Sequence, residues 1–288
     1  MKRVLTIIVT YNGLSWIDSC LGSLRRSEYP TDVYLVDNSS TDGTPDYVRE
    51  HYPEVILHES SENLGFGKAN NQGLKYALTN GYDYAYLLNQ DAWVLPETLG
   101  HLVDAMESNQ EYGVLSPVQM NASMQHPDAA FEEKCLKGPL SGYESGKVYQ
   151  VPFVMAAHWM ISRRTLEAVG GFSPVFYHYG EDDNYLDRVK FKGMKVGFLA
   201  GTYAVHDRES RVLTKSFRMR RKYIMALSRI SNPSNCLAFR LVYQPIEMLL
   251  WSLRWLSVDL LKYIPRLLGA YPELIRTRRE SIKKGAFL

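Results

Sequence analysis

RVLTIIVTYNGLSWIDSCLGSLRRSEYPTDVYLVD, residues 3–37, decides the fold. Its opening run is apolar on both faces, as a strand covered by two layers must be. Over 14–27 the spacing becomes helical, with Trp16, Ile17, Cys20, Leu21 and Leu24 at three- and four-residue steps. DVYLVD (32–37) is a second strand. Strand, helix and strand in this order make a parallel unit with a right-handed crossover. The rhythm continues outward. Ser39-Ser40-Thr41-Asp42-Gly43 is a turn rich in capping residues, and a short helix starts at Thr44. Residues 55–59 read as a strand, 65–79 as a helix and 82–88 as a fourth strand. Further on, 95–109 and 180–192 read as helices, 114–120 and 195–200 as strands, and 151–162 as extended chain. Residues 121–147, polar and rich in Gly, Ser and Pro, read as a mobile loop over a site. From Phe217 the chain is helical, with interruptions expected at Pro233, Pro245, Pro265 and Pro272.

The chain has 288 residues, 45% hydrophobic and 22% charged, which excludes a mainly disordered protein and fits one large domain with an appendage. Cys20, Cys135 and Cys236 are odd in number and far apart. They exclude a disulfide scaffold and a four-cysteine zinc site, and fit a reducing, cytoplasmic setting. The N-terminal MKRVLTIIVTYNG has too short an apolar run for a signal peptide and is broken at Asn12-Gly13, so it reads as a strand. The net charge of +2 conceals an asymmetry: residues 217–288 carry a net +10 and the remainder a net −8. No run of 18 uncharged apolar residues is present to span a bilayer.

Ligands bind open α/β sheets at the carboxyl ends of the strands. Four polar clusters fall at such ends: Thr10-Tyr11-Asn12, Asp37-Asn38-Ser39, Asn63-Leu64-Gly65 and Asn89-Gln90-Asp91. Neither GxGxxG nor GxxxxGK[ST] occurs, which removes the dinucleotide fingerprint and the P-loop. Asp91 closes a strongly apolar strand, where its carboxylate is either a hard ligand for Mg²⁺ or Mn²⁺ or a helix cap before Pro96. His206 follows another extended apolar stretch and is either a structural histidine or a ligand, better suited to Mn²⁺ than to Mg²⁺. Glu181, Asp182 and Asp183 open an amphipathic helix. Acids there complement the helix macrodipole, or one of them is a general base.

Four segments in order, IIVTYNG (7–13), VDNSSTDGT (36–44), NLGFGKANNQG (63–73) with LLNQDAWV (87–94), and GGFSPVFYHYGEDDNYLDRVKFKG (170–193), resemble the family 2 glycosyltransferases. The resemblance spans roughly residues 3–210. The NQD form of the aspartate motif is most similar to rhamnosyltransferase-like enzymes of bacterial surface-polysaccharide assembly. It implies a GT-A fold, a Rossmann-like mixed α/β sheet, here with a C-terminal helical extension. The divisions implied are a catalytic domain over 1–216 (nucleotide-sugar half 1–95, acceptor half 96–216) and the extension over 217–288. By the same resemblance, Thr10, Tyr11 and Asp37 line the base and ribose pocket, and Asn63, Gly65 and Asn71 shape the loop and helix beside the nucleotide. Gln90 joins the donor side. Asp91, the last acid of the family's DxD motif, holds Mn²⁺ or Mg²⁺, with His206 as a further contact. Asp182 is the catalytic base, and Glu181 and Trp159 lie on the acceptor side. Asn89 replaces the first acid of the DxD, leaving Asp91 as that motif's one charged ligand.

The activity implied is inverting transfer from dTDP-rhamnose or a UDP-sugar to a glycan or lipid-linked glycan. A nucleotidyltransferase and a non-catalytic nucleotide-sugar-binding scaffold are the rivals. The first lacks its glycine- and lysine-rich triphosphate loop here, and retention of Asp91 and Asp182 argues against the second. In the extension, residues 246–264 read as one amphipathic helix. Leu249, Leu253, Leu256, Leu260 and Ile264 lie opposite Glu247, Arg254 and Lys262. This pattern fits peripheral contact with anionic lipid on the inner face of the cytoplasmic membrane, packing on the catalytic domain, or a homodimer through the C-terminal helices. The charge lacks a nucleic-acid-reading motif, so no nucleic-acid partner is expected.

Overall fold

The computed structural model describes residues 1–208, 215–255 and 258–288. Strand β1 (Val4–Thr10) leads to helix α1 (Leu14–Arg25), β2 (Asp32–Asp37), α2 (Thr44–His51), β3 (Ile56–Glu59), α3 (Gly65–Thr79) and β4 (Tyr84–Asn89). These strands lie parallel in the order β3-β2-β1-β4. Then come β5 (Ala92–Val94), α4 (Thr98–Ser108), β6 (Tyr112–Met120), α5 (Ala129–Cys135), β7 (Val148–Gln150), β8 (His158–Ser162), α6 (Arg163–Val169), α7 (Glu181–Phe191) and β9 (Lys195–His206). β8 inserts antiparallel between β4 and β6, β9 runs parallel to β6, and the short β5 and β7 pair antiparallel with β9. The sheet is therefore mixed, with an all-parallel half and a half that combines antiparallel pairs with the parallel β6–β9 pair.

β1 shows why its sequence is apolar on both faces. Leu5 and Ile7 enter one core with Leu74, Trp159, Phe172 and Tyr185, while Val4 and Ile8 enter the opposite core with Ile17, Leu21 and Leu102. Alternate side chains of a strand point to opposite faces, so a central strand clad on both sides is apolar on both, and its buried Thr6 and Thr10 are hydrogen-bonded to Thr31 and Asp37.

Residues 121–147 are not wholly loop. Asp128 accepts hydrogen bonds from the backbone N–H of Ala130 and Phe131, capping α5, and Phe131 is fully buried against Phe198. One cap and one aromatic anchor suffice to order a helix that composition reads as loop.

The last helices are α8 (Lys215–Ser231), α9 (Leu237–Arg254), α10 (Tyr263–Gly269) and α11 (Tyr271–Ser281). They share a core of Met219, Ile230, Met248, Leu267 and Leu274, into which the loop between α6 and α7 inserts Phe176. Pro245 and Pro265 lie inside helices rather than interrupting them. Pro265 sits in a first turn, where no intrahelical N–H bond is required. Pro245 cannot donate to the Leu241 carbonyl one turn back, and the Tyr271 hydroxyl donates to that oxygen instead. The single helix expected over 246–264 is in fact two, since α9 ends at Arg254 and α10 starts at Tyr263. Leu256 lies outside the described residues. Leu260 is buried in the helical core, so it does not extend the exposed apolar face. On α9, Phe239, Val242, Ile246, Leu249, Leu250 and Leu253 point to solvent, while Gln244, Met248 and Ser252 point inward; Val258 and Leu268 are exposed beyond it. Among the described residues, no helix is long and apolar enough to cross a membrane.

Candidate active site

The turns after β1 and β2 are tied together by side chains that the sequence places at both strand ends. Asp37, buried, accepts hydrogen bonds from the Thr10 hydroxyl (2.9 Å), the Ser40 N–H (2.8 Å) and the Ser40 hydroxyl (2.6 Å). Asn12 and Ser39 adopt left-handed backbone conformations in these turns. The Asn12 side-chain oxygen accepts from the Thr41 N–H at 2.9 Å. Thr10 and Asp37 thus set the loop from below, and Tyr11 stands half exposed above them. Gln90 bridges to the same loop, accepting from the Tyr11 N–H at 2.8 Å. On the far side, Asn63 accepts from the Gly65 N–H at 2.9 Å, and Asn38 from the Leu64 N–H at 3.2 Å. Gly65 has φ +74°, and a Cβ there would lie 2.4 Å from the Tyr177 carbonyl oxygen. Glycine is required because the 173–180 loop closes directly onto the start of α3.

Asp91 and His206 meet through strand pairing. β9 bulges where its register with β6 shifts, next to Gly201 (φ +79°), and its far end then pairs with β5, Ala92 opposite His206. The Asp207 N–H donates to the Asp91 carbonyl at 2.8 Å. His206 Nε2 lies 3.6 Å from Asp91 Oδ1. The imidazole is 3% exposed and neither ring nitrogen has a hydrogen-bond partner among the described residues. A buried imidazole with idle nitrogens beside a carboxylate is costly unless something fills the gap, and a divalent cation matches both donors. Among the described residues, no group of three His, Cys, Asp or Glu side chains stands ready for a metal. The donor pair fits a cation whose remaining ligands come from substrate or water.

The third part is the start of α7. Gly180 caps it in the left-handed conformation, and Glu181, Asp182 and Asp183 fill the first turn. Burial raises all three carboxyls above the usual range, and the charge of Asp182 adds to the rise at both neighbours. Asp182 accepts from the Asp183 N–H at 2.8 Å. That bond, with the charges of Lys134 on α5 and Arg208 beyond β9, offsets part of its rise. Glu181 is 7% exposed and its Oε2 has no partner. Arg208 is held by Asp128, the α5 cap, with its Nε 2.7 Å from Oδ2. The Asp128–Arg208 pair therefore links α5 to the segment carrying His206.

Residues 6–170 match the sequence profile of Glycosyl transferase family 2. The chain belongs to that family. Over 237 residues it is 25% identical to an N-acetylglucosaminyl-diphospho-decaprenol L-rhamnosyltransferase of Mycobacterium tuberculosis, covering 72% of this chain and 77% of the relative. It is 36% identical over 110 residues to an undecaprenyl-phosphate mannosyltransferase of Micrococcus luteus, covering 37% of this chain and 45% of that protein. A mannosyltransferase from Pyrobaculum calidifontis, solved with GDP-Man and Mn²⁺, shares the fold with a TM-score of 0.59 and 18% identity, over 97% of this chain and 87% of that one. The fold is thus the GT-A arrangement that the sequence resemblance implies.

In this glycosyltransferase two residues stand elsewhere than expected. Asn71 has no free polar group for a nucleotide. Its amide donates to the carbonyls of Phe172 (2.9 Å) and Phe287 (3.4 Å), and its oxygen accepts from the Phe172 N–H (2.6 Å). Trp159 is fully buried, stacked on Phe172, with its indole N–H donated to the Val154 carbonyl at 3.2 Å. It offers no surface to an acceptor and supports the layer beneath α7. Conversely, Asp128, Lys134 and Arg208 escaped the sequence reading. The signal available was Asp128 followed by Ala-Ala-Phe, a helix cap ahead of an apolar anchor.

Proposed function

We propose that this glycosyltransferase moves a sugar from a nucleoside-diphosphate-sugar to a glycan or lipid-linked glycan hydroxyl, with inversion, using Asp182 as general base. The observation carrying this reading is that Arg208, two residues beyond the histidine of the Asp91–His206 pair, acts electrostatically on Asp182, whose carboxyl burial raises. The acceptor proton passes to Asp182 as the acceptor oxygen bonds to the anomeric carbon. The bond from that carbon to the diphosphate breaks, and its electron pair leaves on the diphosphate oxygen. General-base help of this kind contributes about 10²–10⁴-fold. Asp91 and His206 would hold Mn²⁺ or Mg²⁺, which when bound neutralises charge on a leaving diphosphate. Thr10, Tyr11, Asp37 and Gln90 shape the donor side, Asn63 and Gly65 the neighbouring loop, and Glu181 the acceptor side.

Relatives named for decaprenol- and undecaprenyl-linked substrates support a lipid-linked acceptor, and the rhamnosyltransferase supports rhamnose as the sugar transferred. The outward apolar stripe of α9, on an extension of net +10, supports peripheral contact with anionic lipid on the inner face of the cytoplasmic membrane. A homodimer through the same face would bring two such positive charges together, which favours the lipid surface over a second copy. For the metal, Asp91→Ala should abolish Mn²⁺-stimulated release of nucleoside diphosphate from nucleotide-sugars, with His206→Ala weakening it. Full metal stimulation in Asp91→Ala would refute the assignment.

A further inference from the structure

The segment after α11 returns to the catalytic body and is built into it. The Gly285 N–H donates to the Glu167 carbonyl at 2.9 Å, and the Ala286 carbonyl accepts from the Gly171 N–H at 2.8 Å. The Phe287 carbonyl accepts from Asn71. Two glycines make room for it. A Cβ on Gly170 would sit 1.9 Å from the Ala286 oxygen, and one on Gly171 would lie 2.6 Å from Leu288 Cδ2. Ala286 is buried and Leu288 packs on the main core. Gly285 (φ +59°) and Phe287 (φ +69°) both take left-handed conformations, which persist only where surrounding contacts fix them.

The partner beneath is Arg188 of α7, a fully buried guanidinium with no carboxylate among the described residues bonded to it. It donates to the carbonyls of Val169 (2.9 Å) and Gly171 and to the Asn184 side-chain oxygen (3.2 Å). It lies between two aromatic rings, its Cζ 5.2 Å from the centroids of both Tyr185 and Phe287. A cation buried without an anion depends on such hydrogen bonds and ring faces. Arg188 belongs to the helix whose first turn carries Asp182, and its carbonyl partners are Val169 at the end of α6 and Gly171 at the start of the loop leading into α7.

We propose that residues 285–288 form a strap that positions α7, with Phe287 acting through Arg188 and Asn71 anchoring the strap to α3. The strap sets the axial position of α7 and hence where Asp182 points. This inference rests on the reading of α7 as the base-bearing helix. Phe287 is a positioning residue, remote from the reacting atoms, so its loss lowers turnover without changing donor recognition.

The test compares Phe287→Ala and Phe287→Tyr with the wild type in the full chain, by amide hydrogen exchange and steady-state kinetics. In Phe287→Ala, amides of 170–191 should exchange about tenfold faster while those of β1 and β4 are unchanged. Turnover should fall about tenfold or more, since small misplacements of a catalytic group are expensive, with the donor KM held within about twofold. Phe287→Tyr keeps the ring face and should restore both. Unchanged exchange over 170–191 in Phe287→Ala overturns the strap. Faster exchange with wild-type turnover overturns the positioning of Asp182 by the strap, while the base assignment itself stands or falls with the turnover of Asp182→Asn.

Discussion

Replacing Glu181 by Gln should stabilise the protein at neutral pH, and the gain should grow as pH rises. Glu181 is nearly fully buried, its Oε2 has no partner, and burial, reinforced by the Asp182 charge, pushes its carboxyl up to about 8. A carboxyl raised in the folded state contributes stability below its unfolded pKa and loses it as pH climbs through the folded value. Each pH unit between the two costs about 1.4 kcal/mol. At pH 7 the penalty is at most about 3 kcal/mol, and about 1–2 kcal/mol once repulsion is shared with Asp182 and Asp183. Gln has the shape of the neutral acid and no charge to bury, so Glu181→Gln should regain that amount. For a chain of this size that is a rise in Tm of about 2–8 °C. Urea and thermal unfolding at about pH 5 and pH 8 provide the assay. The variant should match the wild type near pH 5 and exceed it at pH 8. A variant no more stable than wild type at pH 8, or one whose advantage is larger at pH 5, would refute the reasoning.

Asp128→Ala removes both the α5 cap and the partner of Arg208, and should cost about 2–4 kcal/mol, whereas Asp128→Asn keeps the cap and should cost about 1–2. Burial raises the Asp128 carboxyl, but Arg208 and the Phe131 N–H outweigh this and hold it below the usual range. The wild-type advantage over Asp128→Asn is therefore full at neutral pH and fades as pH falls through that lowered value, which urea melts across pH 3–7 will show. On α9, Leu250→Glu with Leu253→Glu should cut co-sedimentation with anionic liposomes about tenfold or more, with little change in Tm because both side chains face solvent. Unchanged sedimentation would count against lipid contact.

Elements whose pattern is set locally were legible from the sequence. β1 needs apolar residues on both faces, and α3 begins where Asn63-Leu64-Gly65 permits a left-handed turn. Asp91 and His206 were each legible as ligand candidates, but their juxtaposition was not, because it depends on a three-residue strand pairing with the far end of a bulged one. Asn71 shows the opposite failure. The resemblance sets Asn71 beside the nucleotide, while its partners, Phe172 and Phe287, lie over a hundred residues away along the chain. Trp159 failed likewise: nothing along the chain reveals that Phe172 and Tyr185 close over it. The helical extension misled through proline. The Tyr271 hydroxyl compensates Pro245 from another helix, and spacing along α9 cannot disclose that.

The central claim is that Asp182 removes the acceptor proton. Asp182→Asn preserves the shape of the side chain and its hydrogen bond to the Asp183 N–H while abolishing the base. The direct measurement is turnover at saturating donor alongside calorimetric donor affinity, for Asp182→Asn and Asp183→Asn. Turnover should fall about 10²-fold or more in Asp182→Asn, with donor affinity within about twofold of wild type, and Asp183→Asn should do much less. Near-wild-type turnover in Asp182→Asn, or loss of transfer in Asp183→Asn alone, would contradict it.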